Sequence, residues 1–207
     1  MIQGSDEWKA ARLGKITGSR FADVLAGKRG KFSKTADDYM MELIGEILTG
    51  VSADEINSRA TNWGNMHEPN ARMWYICESG ETLEETGVIH HPEVEGVACS
   101  PDALVGDEGI LEIKCPYSTR VHLKTLESRR VPAEYEPQVH GNLWVTGRQW
   151  CDFVSYDPRF KDSSLCQVRI RVERDELYIE EIAESVIRFR EQLEIRLAKI
   201  LKIGEQS

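Results

Sequence analysis

No stretch of this chain is apolar over the roughly 20 residues that a membrane-spanning helix needs. Residues 1–8 also lack the charged-then-apolar order of a secretory leader. The expectation is therefore a cytoplasmic protein with no membrane partner. Cysteine is sparse and scattered: Cys77, Cys99, Cys115, Cys151 and Cys166 form no Cys-x-x-Cys and no zinc-like spacing with histidine. That excludes a disulfide framework and a structural zinc, and it reads as reduced thiols. Internal repeats, low-complexity tracts and Pro/Ser-rich linkers are also missing, which leaves one domain over residues 1–207 as the economical reading. Within it, 1–50 reads as a helical approach region, 60–175 as the core and 175–203 as a terminal helix. With 41% hydrophobic and 29% charged residues, the composition is that of an ordinary globular protein.

Positive charge is scarce overall, since the formal net charge is −9. It is nevertheless concentrated. Residues 9–34 hold eight basic side chains (Lys9, Arg12, Lys15, Arg20, Lys28, Arg29, Lys31 and Lys34) against the single acid Asp23. A local basic patch is what phosphate contact requires, whatever the total charge. The plainer alternative is a solvated loop with lysines of no special purpose.

Hydrophobic spacing orders the elements. Residues 1–27 read as short helices broken at Gly14 and Gly18, and 27–33 as a basic, glycine-punctuated loop. Helical periodicity covers 35–48 and 63–79. Strands are expected at 86–90, 96–99 and 109–115, helices at 118–130 and 132–146, and strands at 150–156 and 165–172. A helix over 175–203 carries a steady apolar stripe from Ile179 to Ile200, which is read as core packing. The order predicts an α/β fold with one central mixed sheet flanked by helices.

The chemistry sits at residues 99–116. Side chains alternate faces along a strand, so Glu112 and Lys114 share a face with Ile110. Burying a carboxylate and an ammonium in an apolar strand is costly unless they are used. Asp102 follows Pro101 at the end of the strand 96–99, and a turn at 107–109 brings it beside Glu112. Two adjacent carboxylates with no His or Cys favour Mg²⁺, or Mn²⁺, over zinc. The backbone carbonyl of Ile113 is a further oxygen donor there. The bland reading is an ion pair between Glu112 and Lys114, with Asp102 a turn residue.

Pro101-Asp102, nine residues, then Glu112-x-Lys114 resembles the signature of the PD-(D/E)xK nuclease superfamily, with its restriction-endonuclease-like core. Four segments are similar to lambda exonuclease and its YqaJ-type viral recombinase relatives: WKAARLGKITGS (8–19), WGNMHEPNAR (63–72), CSPD (99–102) with LEIKCP (111–116), and PQVHGNLWV (137–145). The resemblance implies that Asp102 and Glu112 hold metal, with Glu68 completing a second cation site. It also implies that Lys114 activates the attacking water and that Gln138 positions the lysine or the phosphate. Arg12, Ser19 and Ser100 would bind phosphates at the cut, including the 5′-terminal phosphate, with Arg29 and the 28–34 loop beside them. Each has a plainer role: Glu68 pairing with Arg72 one turn on, Arg12 or Ser19 capping a helix.

Two departures from the family stand out. Where relatives offer an apolar wedge before Trp-Gly, this chain has RATN (59–62). Where related nucleases place a tyrosine four residues after the glutamine, Asn142 stands. The resemblance implies an ATP-independent, Mg²⁺-dependent 5′-to-3′ exonuclease on linear duplex DNA. It would release 5′-mononucleotides and leave 3′ overhangs for a single-strand annealing protein, as a homotrimeric ring. The alternatives are a restriction-like or junction-resolving endonuclease on the same core, and a non-catalytic DNA-end-binding protein.

Overall fold

The computed structural model describes residues 3–205 apart from 26, 29–30 and 54–58. Helix α1 (Asp6–Arg12) leads into β1 (Ile16–Thr17), a 3-10 turn at Gly18–Arg20 and α2 (Phe21–Leu25). A small hairpin of β2 (Gly27–Lys28) and β3 (Lys31–Phe32) precedes α3 (Lys34–Thr49) and α4 (Arg59–Ser79). Strands β4 (Leu83–Glu84), β5 (Ile89–His90), β6 (Val97–Cys99), β7 (Ala103–Val105) and β8 (Gly109–Lys114) follow. Then come α5 (Thr119–Ser128), α6 (Glu136–Thr146), β9 (Trp150–Tyr156), β10 (Gln167–Glu173) and α7 (Glu176–Glu205).

The expected α/β core with flanking helices and a long terminal helix is present, but, apart from the β2–β3 hairpin, the strands divide between two mixed sheets. The larger has the order β10-β9-β8-β7-β4, and the smaller β1-β6-β5. Strands β8 and β9 run parallel, so the chain must cross over between them, and it does so through α5 and α6. That crossover lays α6 over the face of β8 that carries Glu112. Alternation along β8 separates two cores: Ile110 packs with Val139 and Leu143 of α6, whereas Leu111 and Ile113 pack with Ala71 and Tyr75 of α4.

Several expectations need correction. Ile16–Thr17 is a strand paired parallel to Val97–Ala98, so the first 50 residues are not purely helical. The basic loop at 27–33 contains a two-stranded hairpin. The turn at 106–108 closes β7 onto β8, with Ala103 opposite Leu111, so Asp102 precedes a strand of its own instead of ending the previous one. The helix expected from 132 begins at Glu136. The α7 stripe is core, as expected: Ile179, Ile182, Val186, Phe189 and Leu193 are buried. Among the described residues no helix is long and apolar enough to cross a membrane.

Candidate active site

Strand pairing delivers the first carboxylate to the second. The backbone N–H of Asp102 donates to the Leu111 carbonyl at 3.0 Å, and the N–H of Ile113 donates back to Asp102 Oδ2 at 2.5 Å. Glu112 is 2% exposed and receives three donors. Lys114 Nζ and Gln138 Nε2 converge on Oε1 at 2.7 and 2.5 Å, while Asn142 Nδ2 donates to Oε2 at 3.1 Å. The two α6 donors are four residues apart, so one helical face serves both oxygens of a single carboxylate.

The electrostatics follow from this crowding. Burial, then the carboxylates of Glu112 and Glu68, push Asp102 well above the ordinary carboxylate range, against the pull of Lys114 and the Ile113 N–H. Burial alone would lower Lys114, but Glu112 and Asp102 hold its ammonium above its usual value. An aspartate made reluctant to ionise, beside a second carboxylate, is a site that a cation would relieve. The donors on offer are all oxygen, which fits a hard divalent ion.

Glu68 lines the same cleft as Ile113 and Lys114, a cavity of about 460 Å³. Its Oε1 accepts from Arg72 Nη2 at 2.9 Å, and Arg72 Nη1 donates to the Asp102 carbonyl at 2.6 Å. The plain i,i+4 pairing is therefore real, and it also ties Glu68 to the Asp102 loop. Among the described residues no three His, Cys, Asp or Glu side chains close on one point. The expected trio of acids is thus an adjacent pair, with Glu68 at the cleft wall.

A second cluster adjoins the first through Ser100, two residues before Asp102. Trp8 Nε1 donates to Ser100 Oγ at 2.9 Å, and the Arg12 guanidinium lies over the Trp8 ring at 4.2 Å. Arg12 Nη2 also reaches Thr17 Oγ1 at 3.3 Å and Ser19 Oγ at 3.5 Å. Arg12, Ser19 and Ser100, singled out from sequence, are thus brought into one neighbourhood. A hollow of about 70 Å³ beside them is lined by Lys9, Lys15 and Arg20 as well as Arg12. Arg29 lies outside the described residues.

Residues 7–149 match the profile of the YqaJ-like viral recombinase domain. The chain belongs to that family. Its fold overlays the alkaline exonuclease LHK-Exo of Laribacter hongkongensis at 42% identity and a TM-score of 0.90, covering 98% of this chain and 99% of that one. LHK-Exo has also been solved in complex with dAMP, and that structure overlays at a TM-score of 0.91. A phage-related exonuclease of Haemophilus somnus shares the fold at 17% identity and a TM-score of 0.70, over 90% of this chain and 96% of that one. A protein of Acanthamoeba polyphaga mimivirus is 25% identical over 73% of this chain, which spans 28% of that protein's length.

Against this family frame, three contributors were not singled out from sequence as site residues. Asn142, which stands where related nucleases place a tyrosine, is 1% exposed and bonded to Glu112. Its spacing of four from Gln138 was the available signal. Trp8 joins Arg12 to Ser100, and Gln3 donates to Ser100 Oγ at 3.2 Å and to the Pro101 carbonyl at 3.0 Å. Only the fold could reveal Gln3, because its partners are nearly a hundred residues away.

Proposed function

We propose that this YqaJ-family chain is an ATP-independent exonuclease that digests one strand of linear duplex DNA from its 5′ end. It releases 5′-mononucleotides and leaves 3′ overhangs. The observation that carries the reading is the continuity of two clusters: Asp102, Glu112, Lys114 and Gln138, of which Lys114 opens on the cleft beside Glu68, joined through Ser100 to Arg12 and Ser19. A phosphodiester reaching the carboxylates would place a neighbouring phosphate beside the guanidinium. Full-length likeness to an alkaline exonuclease, also solved with a mononucleotide, supports the same reading.

Asp102, Glu112 and the Ile113 carbonyl are the groups that would hold Mg²⁺ or Mn²⁺, with Glu68 serving a second ion. Such an ion supplies Lewis acidity and a lowered pKa for a bound water. The chain's own residues do the rest. Gln138 and Asn142 fix the Glu112 carboxylate from one helix face, so its orientation is set before DNA arrives. The Lys114 ammonium donates towards the attacked phosphate and orients the water. The water oxygen forms a new bond to phosphorus and gives up a proton to solvent as the P–O3′ bond to the terminal nucleotide breaks. The 3′ oxygen leaves and takes up a proton, while the next nucleotide keeps a 5′-phosphate for the following cycle. Arg12, with Ser19 and Ser100, would receive that phosphate through charge-assisted hydrogen bonds. Arg29 belongs to the same proposal on sequence grounds alone.

The reading carries with it a cytoplasmic homotrimer encircling duplex DNA and a single-strand annealing partner, both of which rest on the family resemblance. Digestion of linear duplex labelled at the 5′ or the 3′ end, with and without Mg²⁺, tests the polarity and the metal together. The expected result is early release of 5′ label only with Mg²⁺, abolished in Asp102→Ala. Cutting of covalently closed circles would turn the reading towards an endonuclease, and inertness on DNA ends would leave an end-binding protein.

A further inference from the structure

Tyr117 is half exposed in a place where exposure needs explaining. The residue is 51% exposed, and it lines the same cleft as Glu68, Ile113 and Lys114. It follows Lys114 by three residues, just past the end of β8. Large aromatic rings left in water lose the burial that otherwise stabilises them. The backbone that carries it is also clamped. Arg159 Nη1 donates to the Tyr117 carbonyl at 3.0 Å and Nη2 to the Pro116 carbonyl at 3.2 Å.

The clamp itself has a rigid base. Arg159 Nε and Nη2 grip the two oxygens of Asp157, each at 2.7 Å, and the Asp157 side chain is fully buried. Burial would raise the Asp157 carboxyl, but the Arg159 bonds hold it below its ordinary range, so the pair stays charged. The same guanidinium lies over the Trp63 ring at 4.4 Å. Trp63 in turn meets Tyr117 edge-on, with ring centroids 6.1 Å apart and planes at 84°. Trp63 thus braces the tyrosine by an edge-to-face contact, leaving about half of its surface open.

We propose that Tyr117 is a stacking platform for a nucleobase next to the scissile phosphate. This rests on the nuclease reading above and adds to it the part of the substrate that the carboxylates do not hold. An aromatic face set before binding loses little conformational freedom when a flat partner arrives. Stacking tolerates every base, because each has a π face, and so suits an enzyme that must digest any sequence. The ring also supplies an aromatic face in a cleft whose α4 wall, at Ala60, Thr61, Gly64, Asn65 and Glu68, has none.

The test compares Tyr117→Ala, Tyr117→Phe and the unaltered protein on blunt duplexes carrying 2-aminopurine at the first or second nucleotide of the cleaved strand. Binding is read by fluorescence with Ca²⁺ replacing Mg²⁺, and KM and kcat with Mg²⁺. Loss of one base stack, about 1–3 kcal/mol, predicts a KM roughly 5- to 150-fold higher for Tyr117→Ala. Tyr117→Ala is also expected to lose the stacking-induced quench, at unchanged melting temperature. Tyr117→Phe keeps the ring and should match the unaltered protein in both readouts. An alanine variant with normal KM and quench overturns the platform while leaving the nuclease reading intact. So does a phenylalanine variant that fails like alanine, because the hydroxyl would then be the working part. An unaltered protein that neither binds nor digests DNA overturns both.

Discussion

The carboxylate site on β8 and the basic cluster around Arg12 are neighbours, yet they are built to different tolerances. Glu112 is 2% exposed, and all three of its donors come from β8 and α6. Arg12 instead rests on an aromatic face, and its bonds to Thr17 and Ser19 are long, at 3.3 and 3.5 Å. Hydrogen bonds at such lengths are weak, and a dianionic phosphate would outcompete them. The buried site fixes geometry in advance, whereas the long bonds from Arg12 to Thr17 and Ser19 can yield to a phosphate. Damage to the first should therefore appear in turnover, and damage to the second in the choice of DNA end.

The sharpest way to test that contrast is at Asn142, where the two regions touch. Its Oδ1 packs so closely on Gly18 that a methyl group there would collide with it, and Gly18 belongs to the segment carrying Ser19. Asn142→Asp sets a third carboxylate against Glu112, and kcat is expected to fall about 100-fold or more, as removal of a preorganised donor does elsewhere. Asn142→Ala leaves Glu112 Oε2 without its donor, a loss of about 1–3 kcal/mol that corresponds to roughly 5- to 150-fold in kcat. In both, the preference for 5′-phosphorylated over hydroxyl ends should persist. Unchanged kcat in steady-state assays would dissolve the distinction between the two regions.

The contrast also explains what could be seen in the sequence. The strand of the candidate site was legible because a period of two places Glu112 and Lys114 in an otherwise apolar run, a conflict that a functional role would resolve. The α7 stripe and most helices were legible from their spacing. The short strands Ile16–Thr17 and Ala103–Val105 were not, since two or three residues give no period to read and their partners lie far off or across a turn. Hence one expected sheet became two, and Asp102 was given the wrong strand although the right neighbour. Tertiary placement also decided Glu68, whose pairing with Arg72 and position at the cleft wall are both true.

Cation binding separates the regions by stability instead of rate. Adding Mg²⁺ at about 100 times its dissociation constant should stabilise the fold by about 2.7 kcal/mol. For a chain of this size that is a melting shift of roughly 5–10 °C in differential scanning fluorimetry. Asp102→Asn should remove the shift, and Arg12→Ala should keep it. A shift that survives both Asp102→Asn and Glu112→Gln would place the ion somewhere other than β8.

The smallest effect belongs to Arg12, because its bonds to Thr17 and Ser19 are long and water can partly replace it. Arg12→Ala deletes the guanidinium over Trp8 but leaves Trp8 bonded to Ser100, two residues before Asp102. The preference for 5′-phosphorylated over 5′-hydroxyl duplex should fall about tenfold, the worth of one charge-assisted hydrogen bond at a wet site. Initial rates on the two ends, measured at matched ionic strength, give that ratio directly. Salt matters because phosphate contacts weaken together as counterions compete. Activity on hydroxyl ends should hold, since no terminal dianion is there to be lost. An equal fall on both ends would mean that Arg12 grips the DNA backbone generally, and that end selection is made by other residues.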